Sequence, residues 1–219
     1  MPPAKPRNPF VESAQRRHAG PMRDRRAARG GARNEQRELL EQVDEDVPAG
    51  SDAVAGPGPS GEAEAGLRQV AVTGNRGITE RDRETIRRRM KELARDTGIG
   101  AILFGGALGA DTEALSAALA ARRGERPRLV VVLPDTLEAQ PRETWAVSRR
   151  ADERIELHFP IRAEDRWKAY HRRNRWLAEH ATDLLAFWNG DPRSGTGATI
   201  TLALKRGLPV EVVDVEGGD

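Results

Sequence analysis

The chain has 219 residues, of which 37% are hydrophobic and 32% charged, and this length allows one domain with an additional tail. It has no cysteine, which excludes disulfides and cysteine-ligated metals, and it has no apolar run of about 18 residues that would predict a membrane span. The charged N-terminus has no apolar stretch behind it, so we expect no secretory signal and a cytoplasmic location. The formal net charge of +2 is too small to predict a nucleic-acid partner by itself.

Residues 1–66 differ in composition from the rest of the chain. They are rich in proline and glycine and have too few large apolar residues to offset the entropy of ordering the backbone. The segment is mainly arginine from Lys5 to Arg33 and mainly acidic from Glu35 to Glu64. We therefore predict a disordered, charge-segregated tail at residues 1–66 and a folded domain at residues 67–219. The tail is either a solvated extension or an arm whose basic half contacts nucleic acid or a partner.

From residue 67 onward, short apolar runs alternate with longer amphipathic segments, as in proteins whose buried strands alternate with helices. The runs predict strands at 69–73, 101–104, 129–133, 183–187 and 209–213, and the segments predict helices at 79–96, 111–123, 164–180 and 195–206. This alternation indicates an α/β fold, a Rossmann-like, doubly wound parallel sheet of about five or more strands. Right-handed crossovers then bring the C-terminal ends of all strands to one edge.

Three glycine-rich turns lead into helices at that edge. They are Thr73-Gly74-Asn75-Arg76-Gly77, Gly105-Gly106-Ala107-Leu108-Gly109-Ala110-Asp111 and Ser194-Gly195-Thr196-Gly197. Glycine allows the backbone to approach a ligand closely, and helix N-termini attract phosphate. Three such turns at one sheet edge predict a phosphate-bearing ligand. None contains the Walker lysine, and the first lacks Gly-x-Gly-x-x-Gly, so a nucleoside triphosphatase and an ordinary dehydrogenase are disfavoured.

Three segments of the chain resemble the SLOG superfamily. They are residues 73–76, residues 105–114, and Arg173-Asn174-Arg175-Trp176-Leu177-Ala178 followed by Ser194-Gly195-Thr196. The superfamily includes the bacterial DNA-processing protein A, the "lonely guy" phosphoribohydrolases and the small YspA/YpsA-related proteins of bacteria and phages, and the pattern is most similar to this last branch. The resemblance covers residues 69–213. It implies a Rossmann-like fold that binds a nucleotide or a nucleotide-derived ligand.

The predicted ligand-binding residues all lie in these segments. They are Thr73, Gly74, Asn75, Arg76, Gly105, Gly106, Gly109, Asp111, Arg173, Asn174, Arg175, Ser194, Gly195 and Thr196. Arg173 and Arg175 carry forked donors that suit phosphate, although both also belong to an arginine-rich stretch of surface. Asn174 between them completes the family motif. Ser194 and Thr196 either donate hydroxyls to phosphate or cap the following helix.

Catalysis is the less favoured interpretation. The lonely-guy enzymes have the signature Pro-Gly-Gly-x-Gly-Thr-x-x-Glu, and in this chain the glutamate position is Thr199, which argues against phosphoribohydrolase activity. Asp111 and Glu113 remain as candidates for a catalytic carboxylate. Asp111 alternatively binds a ribose hydroxyl or serves only as a helix N-cap. The histidines lack metal-ligand spacing, so we expect no metal site.

Three functions remain open. Our main prediction is a module that binds or senses a small nucleotide-like ligand without turnover and has no certain cofactor. The second is a nucleotide hydrolase that cleaves an N-glycosidic bond. The third is a single-stranded DNA binder like DNA-processing protein A, which would use Arg173, Arg175 and the basic tail and would bind more weakly in salt. Trp167, Tyr170 and Trp176 share one predicted helix, where they either stack on bases or belong to the core or a homo-oligomer interface.

Overall fold

The structure is a computed structural model that describes residues 66–162 and 166–218, and it contains a six-stranded sheet whose strands are all parallel. The strands are β1 Arg68–Gly74, β2 Ile99–Phe104, β3 Arg128–Leu133, β4 Glu153–Glu156, β5 Asp183–Trp188 and β6 Val210–Asp214. The helices are α1 Glu80–Leu93, α2 Ala110–Ala121, α3 Arg142–Ser148, α4 Arg166–His180 and α5 Gly195–Lys205, with a short 3-10 turn at Leu137–Ala139. The strand order β4-β3-β2-β1-β5-β6 confirms the predicted Rossmann-like, doubly wound α/β fold.

Helices cover both faces of the sheet. Val70 and Val72 of β1 point to one face, and Ala71 between them points to the other. The first face packs against α1, α2 and α3 through side chains such as Ile86, and the second packs against α4 and α5 through side chains such as Trp176. This burial on two sides explains why the central strands have continuous apolar sequences.

The first helix begins at a capping box. The Thr79 hydroxyl accepts a hydrogen bond from the Asp82 backbone N–H at 3.2 Å, and the Asp82 carboxylate accepts one from the Thr79 N–H at 2.9 Å. Asp82 also accepts hydrogen bonds from the backbone N–H groups of Glu216 and Gly217. The same carboxylate therefore fixes both the start of α1 and the segment that follows β6.

The sequence pattern does not predict β4, α3 or the 3-10 turn. Only Ile155 is buried among the four residues of β4, because β4 is an edge strand with charged side chains on either side of that isoleucine. Helix α3 has only seven residues, too few for a clear helical period. The predicted strands and helices are otherwise present with ends displaced by a few residues; α1, for example, ends at Leu93 rather than at residue 96.

The prediction of a disordered tail at residues 1–66 lies outside the described residues, apart from Gly66. Among the residues that the structure describes, no helix has the length and the apolar character that crossing a bilayer requires.

The strand order reverses between β1 and β5, which are neighbours in the sheet. Strands β2, β3 and β4 follow one another outward on one side of β1, and β5 then pairs with the other side of β1. In open parallel sheets, ligands bind outside the carboxyl ends of the strands at such a switch point. Two of the three glycine-rich turns follow β1 and β5, so they flank this crevice.

Candidate functional site

Asn75 joins the three glycine-rich turns at the carboxyl edge of the sheet. Its backbone carbonyl accepts a hydrogen bond from the N–H of Ala110 at 2.9 Å, at the start of α2. Its side-chain oxygen accepts one from the N–H of Asn189 at 3.3 Å, in the loop between β5 and α5. The first turn is therefore tied to the second turn and to the loop that leads into the third. Thr73 and Gly74 end β1, and Gly106 lies in the turn after β2, as the sequence predicts.

Close approach requires glycine at Gly74, Gly105 and Gly109, and a Cβ on Gly74 would collide with that of Ala110. Gly109 is the N-cap of α2 and has a φ of 85°, and a Cβ there would collide with the carbonyl of Arg76. A Cβ on Gly105 would collide with the guanidinium of Arg173 and would lie 2.7 Å from the Asp111 carboxylate. The second turn is therefore built around contacts with the first turn and with α4.

A buried ion pair lies beneath the second turn. The Nη1 of Arg173 lies 4.0 Å from the Oδ2 of Asp111, and both residues are almost completely buried. The same Nη1 donates a hydrogen bond to the carbonyl of Gly105, and Asp111 accepts one from the N–H of Ala107 at 3.3 Å. The pair thus provides hydrogen-bond partners for one backbone carbonyl and one backbone N–H of the turn.

Burial governs the ionisation of this pair. Desolvation raises the pKa of Asp111 to about 6, although the positive charge of Arg173 and the backbone N–H of Ala107 act in the opposite direction. Desolvation also lowers the pKa of Arg173. Asp111 lies in the first turn of α2 but is not its N-cap, since Gly109 has that position. The N-cap alternative for Asp111 is therefore wrong.

The Arg173-Asn174 dipeptide connects two of the turns. The Nε of Arg173 donates to the side-chain oxygen of Asn174 at 2.8 Å, and the side-chain nitrogen of Asn174 donates to the carbonyl of Gly195 at 3.5 Å. Arg175 lies two residues further along the helix, about 200° away around its axis. Arg175 therefore does not share the face of α4 on which Arg173 meets the second turn, and the two arginines do not form a single phosphate clamp.

Tyr170 lies between two arginines at the same edge. The guanidinium carbon of Arg76 lies 5.1 Å from the centroid of the tyrosine ring, and that of Arg173 lies 5.7 Å from it. Arg76 is exposed and Tyr170 is half-buried, so this pair is within reach of a ligand while Arg173 is not. Both arginines are predicted from the sequence as site residues, but the position of Tyr170 between them is not.

Two further aromatic rings, one in α4 and one in the loop before it, have a cation close to the ring. The Nζ of Lys168 lies 5.7 Å from the ring centroid of Trp167, which is 47% exposed, and the guanidinium carbon of Arg172 lies 4.8 Å from the ring centroid of Phe159. Trp176 is fully buried in the core, so it cannot stack on a base. The core alternative for Trp176 is therefore correct. Phe159 is missed by sequence reasoning because it lies in a loop without a motif.

The third turn begins helix α5. The Ser194 hydroxyl caps the helix by accepting a hydrogen bond from the Gly197 N–H at 3.1 Å, and it donates to the carbonyl of Asp191 at 2.7 Å. Thr196 is buried at the first turn of α5. Thr199, at the position of the missing glutamate, is also buried and donates to the carbonyl of Gly195 at 2.9 Å. No carboxylate enters the site from this helix.

Glu113 lies on a different side of α2 from the crevice. Its carboxylate oxygens accept hydrogen bonds from Arg83 and Arg87 of α1, each at 2.7 Å. It therefore connects α1 to α2, and the structure does not bring it to Asp111. Within residues 66–162 and 166–218, no group of His, Asp and Glu side chains has the arrangement of a metal site.

Comparisons with known structures agree with this architecture. The DNA processing protein A of Helicobacter pylori, described for its single-stranded DNA binding mode, has a TM-score of 0.53 and 23% identity, covering 67% of this chain and 65% of its own. DNA processing protein A of Streptococcus pneumoniae has a TM-score of 0.55 and 20% identity, covering 67% of this chain and 50% of its own. A molybdenum cofactor binding protein of Rippkaea orientalis has a TM-score of 0.50 and 19% identity, covering 68% of this chain and 77% of its own. At these identities the likeness is one of fold.

The match to a family of sequences is more extensive. This chain spans between half and two thirds of the length of the two DNA processing proteins. No curated protein matches its sequence. The family model for DNA recombination-mediator protein A matches residues 58–217, which include all three glycine-rich turns and α4. This match confirms the predicted relationship to the SLOG superfamily, and the chain belongs to the DNA recombination-mediator protein A family.

Proposed function

We propose that this chain binds single-stranded DNA at the carboxyl edge of its sheet. The observation that carries the proposal is the position of Tyr170 between Arg76 and Arg173, directly beside the glycine-rich turns. Aromatic rings that stack on bases and cations that meet the phosphates are the two elements of single-strand recognition. The Helicobacter pylori protein, which is similar in fold, is described by its single-stranded DNA binding.

The phosphates would meet the N-termini of α2 and α5. Both helices begin at the switch-point edge, where their first backbone N–H groups and partial positive charge attract an anion. Arg76 adds an exposed guanidinium at the end of β1, and no carboxylate among the described residues forms an ion pair with it. Its charge is therefore available to a phosphate.

The bases would stack on the row of aromatic rings along α4. Tyr170 and Trp167 are accessible, and each has a cation beside its ring. Stacking on an aromatic side chain contributes about 1–3 kcal/mol per base and tolerates any sequence. We therefore expect binding with little base specificity. Residues 67–219 would contain the whole of this binding surface.

Arg173 and Asp111 would support the site rather than contact the DNA. Arg173 has its Nη1 on Gly105 and its Nε on Asn174, and it is 6% exposed. Its role is to hold the second turn in its conformation beneath the crevice. Asp111 balances its charge, and with Thr199 in place of the glutamate we expect binding without cleavage of an N-glycosidic bond.

A small nucleotide-like ligand is the second candidate. The three turns converge on one crevice through Asn75, which suits one phosphate-bearing molecule as well as one phosphate of a DNA strand. The Rippkaea orientalis protein, similar in fold, is described by its binding of the molybdenum cofactor. This candidate uses the turns but not the aromatic row, so the two functions differ in their dependence on Tyr170.

The test is a fluorescence anisotropy titration of the full chain against a labelled single-stranded oligonucleotide. We expect saturable binding that weakens as salt rises, with a slope of about 0.7 in log–log form for each phosphate contact. Unlabelled single strand should displace the probe, and duplex DNA should do so poorly. If AMP, ADP-ribose or NAD displaced the probe at micromolar concentration and Tyr170→Ala had no effect, the small-ligand function would replace the proposal. Absence of binding to any of these compounds would overturn both.

A further inference from the structure

A second cationic and aromatic surface lies on α3, outside the crevice. Trp145 is flanked by Arg142 one turn before it and by Arg149 one turn after it, whose guanidinium carbons lie 5.7 and 5.2 Å from its ring centroid. The indole N–H donates to the carbonyl of Gln140 at 3.0 Å, which fixes the orientation of the ring. These three side chains, Arg142, Trp145 and Arg149, form what we call the α3 face.

The arginines of the α3 face carry charge that the protein does not neutralise. Within the described part of the chain, neither Arg142 nor Arg149 forms an ion pair, and both are exposed. The acidic residue nearest to them along the chain is Glu143 of the same helix, which is exposed and forms no ion pair with either arginine; Asp152 pairs with Arg122, and Glu153 pairs with Arg128 at 3.0 Å. Free guanidinium groups on an oriented ring are suited to a phosphate chain.

The arginines of α1 provide the contrast. Arg83 and Arg87 contact Glu113, and Arg89 contacts Glu211 at 2.6 Å, so these guanidinium groups are satisfied within the fold. Arg88 of the same helix is exposed and forms no ion pair among the described residues, so a missing carboxylate partner alone does not distinguish the α3 face. The α3 face differs from Arg88 in that its two guanidinium groups hold positions over an aromatic ring.

Helix α3 lies outside the crevice, on the face of the sheet that α1 and α2 also cover. Helix α3 packs beside α2, on the same face of the sheet, and the chain reaches it from the carboxyl end of β3. Strand β3 is two positions from β1 in the sheet, which is about 10 Å at the usual strand spacing. A ligand that continued from the turns onto α3 would therefore be a strand of several nucleotides rather than a single nucleotide.

We infer that the α3 face is a second contact surface for single-stranded DNA, used only by strands long enough to continue beyond the glycine-rich turns. This inference rests on the proposed function. The guanidinium groups of Arg142 and Arg149 meet phosphates, and the half-buried ring of Trp145 holds them in position. An acidic protein would not need the oriented ring, which favours nucleic acid as the partner.

The test compares two lengths of oligonucleotide on full-length variants. The double variant Arg142→Ala/Arg149→Ala should bind an oligonucleotide of about five nucleotides as the wild type does, and one of about 20 nucleotides roughly ten-fold more weakly. Its salt slope for the longer strand should fall by about 1.4, for two lost phosphate contacts. The matched control is Arg88→Ala/Arg206→Ala, which removes the same charge from two other exposed positions. Arg142→Lys/Arg149→Lys keeps the charge and should retain most of the slope.

Each outcome decides between the two claims. Equal affinity of the double variant and the control for the longer strand would overturn the α3 face while leaving the proposed function in place. Displacement of the longer strand from the α3 face by poly-glutamate of equal charge would overturn its assignment to nucleic acid. Failure of the wild type to bind either strand would remove the proposed function, and the inference with it.

Discussion

The guanidinium of Arg173 lies 4.0 Å from the carboxylate of Asp111, and the two side chains are only 7% and 4% exposed. Such a pair is expensive to bring out of water, and it persists where each partner has further hydrogen bonds. Here those bonds go to Gly105 and Ala107, the backbone of the second glycine-rich turn. The pair therefore couples the stability of the domain to the shape of its candidate site.

Arg173→Ala should destabilise the domain by about 3–5 kcal/mol, because it leaves Asp111 buried without a counter-charge. The free energy of unfolding from urea denaturation measures this loss. Adding Asp111→Asn should recover part of it, since the unpaired carboxylate is then gone. Strictly additive effects of the two substitutions would contradict the coupling described here.

The pH dependence of stability should report on Asp111. Its pKa is raised by burial from 3.8 to about 6 in the folded protein, so between these values the folded state keeps a proton that the unfolded state releases. The free energy of unfolding should therefore fall as pH rises from about 4 to about 6, by an amount on the order of 3 kcal/mol, and then level off.

Asp111→Asn isolates this contribution from those of other groups. The variant lacks the titrating carboxylate, so its stability relative to the wild type should improve as pH rises through the same window. Urea denaturation at about pH 4 and about pH 7 measures the difference. Parallel profiles for the two proteins would show that Asp111 titrates at its ordinary value.

Gly109→Ala should disrupt the joint between the first two turns. The substitution combines the strain of a φ of 85° with a collision against the carbonyl of Arg76. Gly124→Ala is the control, because Gly124 has a φ of 78° with no atom within 4 Å of its ideal Cβ. Positive φ alone costs about 1–2 kcal/mol, so the control should lose that much and Gly109→Ala clearly more. The melting temperatures of both variants measure the comparison, and equal losses would refute the close approach.

Glu113→Gln should leave DNA affinity unchanged. The carboxylate contacts Arg83 and Arg87 on α1, so its loss should weaken the packing of α1 on α2 and lower the melting temperature slightly. Anisotropy titration of the variant checks the first expectation. A large loss of DNA affinity with an unchanged melting temperature would return Glu113 to the candidate site.

The sequence predicted the elements whose signals are local and periodic. The apolar run at β1 and the amphipathic segment of α1 are of this kind, and both predictions are confirmed. Helix α3 was missed because Arg142–Ser148 is too short for a period, and β4 because only Ile155 among its residues is buried. The turns were predicted from their glycines, because glycine is the residue that allows two backbone segments to approach closely.

The assignment of roles within the site depended on contacts that are remote in sequence. Arg173 and Arg175 look equivalent along the chain, but helical geometry places them on different sides of α4. The guanidinium of Arg173 donates a hydrogen bond to the carbonyl of Gly105. Tyr170 acquires its place only through Arg76, nearly a hundred residues earlier. Such pairings depend on how α4 packs over the sheet, which no local pattern in this sequence reports.

The most direct test of the central claim is the affinity of Arg76→Ala for a short single-stranded oligonucleotide, measured beside Arg88→Ala at the same salt concentration. Arg76 is exposed next to Tyr170 at the crevice, whereas Arg88 is exposed on α1. Binding at the turns predicts a loss of about ten-fold for Arg76→Ala, a salt slope smaller by about 0.7, and no change for Arg88→Ala. Equal affinity of both variants and the wild type would contradict DNA binding at this edge of the sheet.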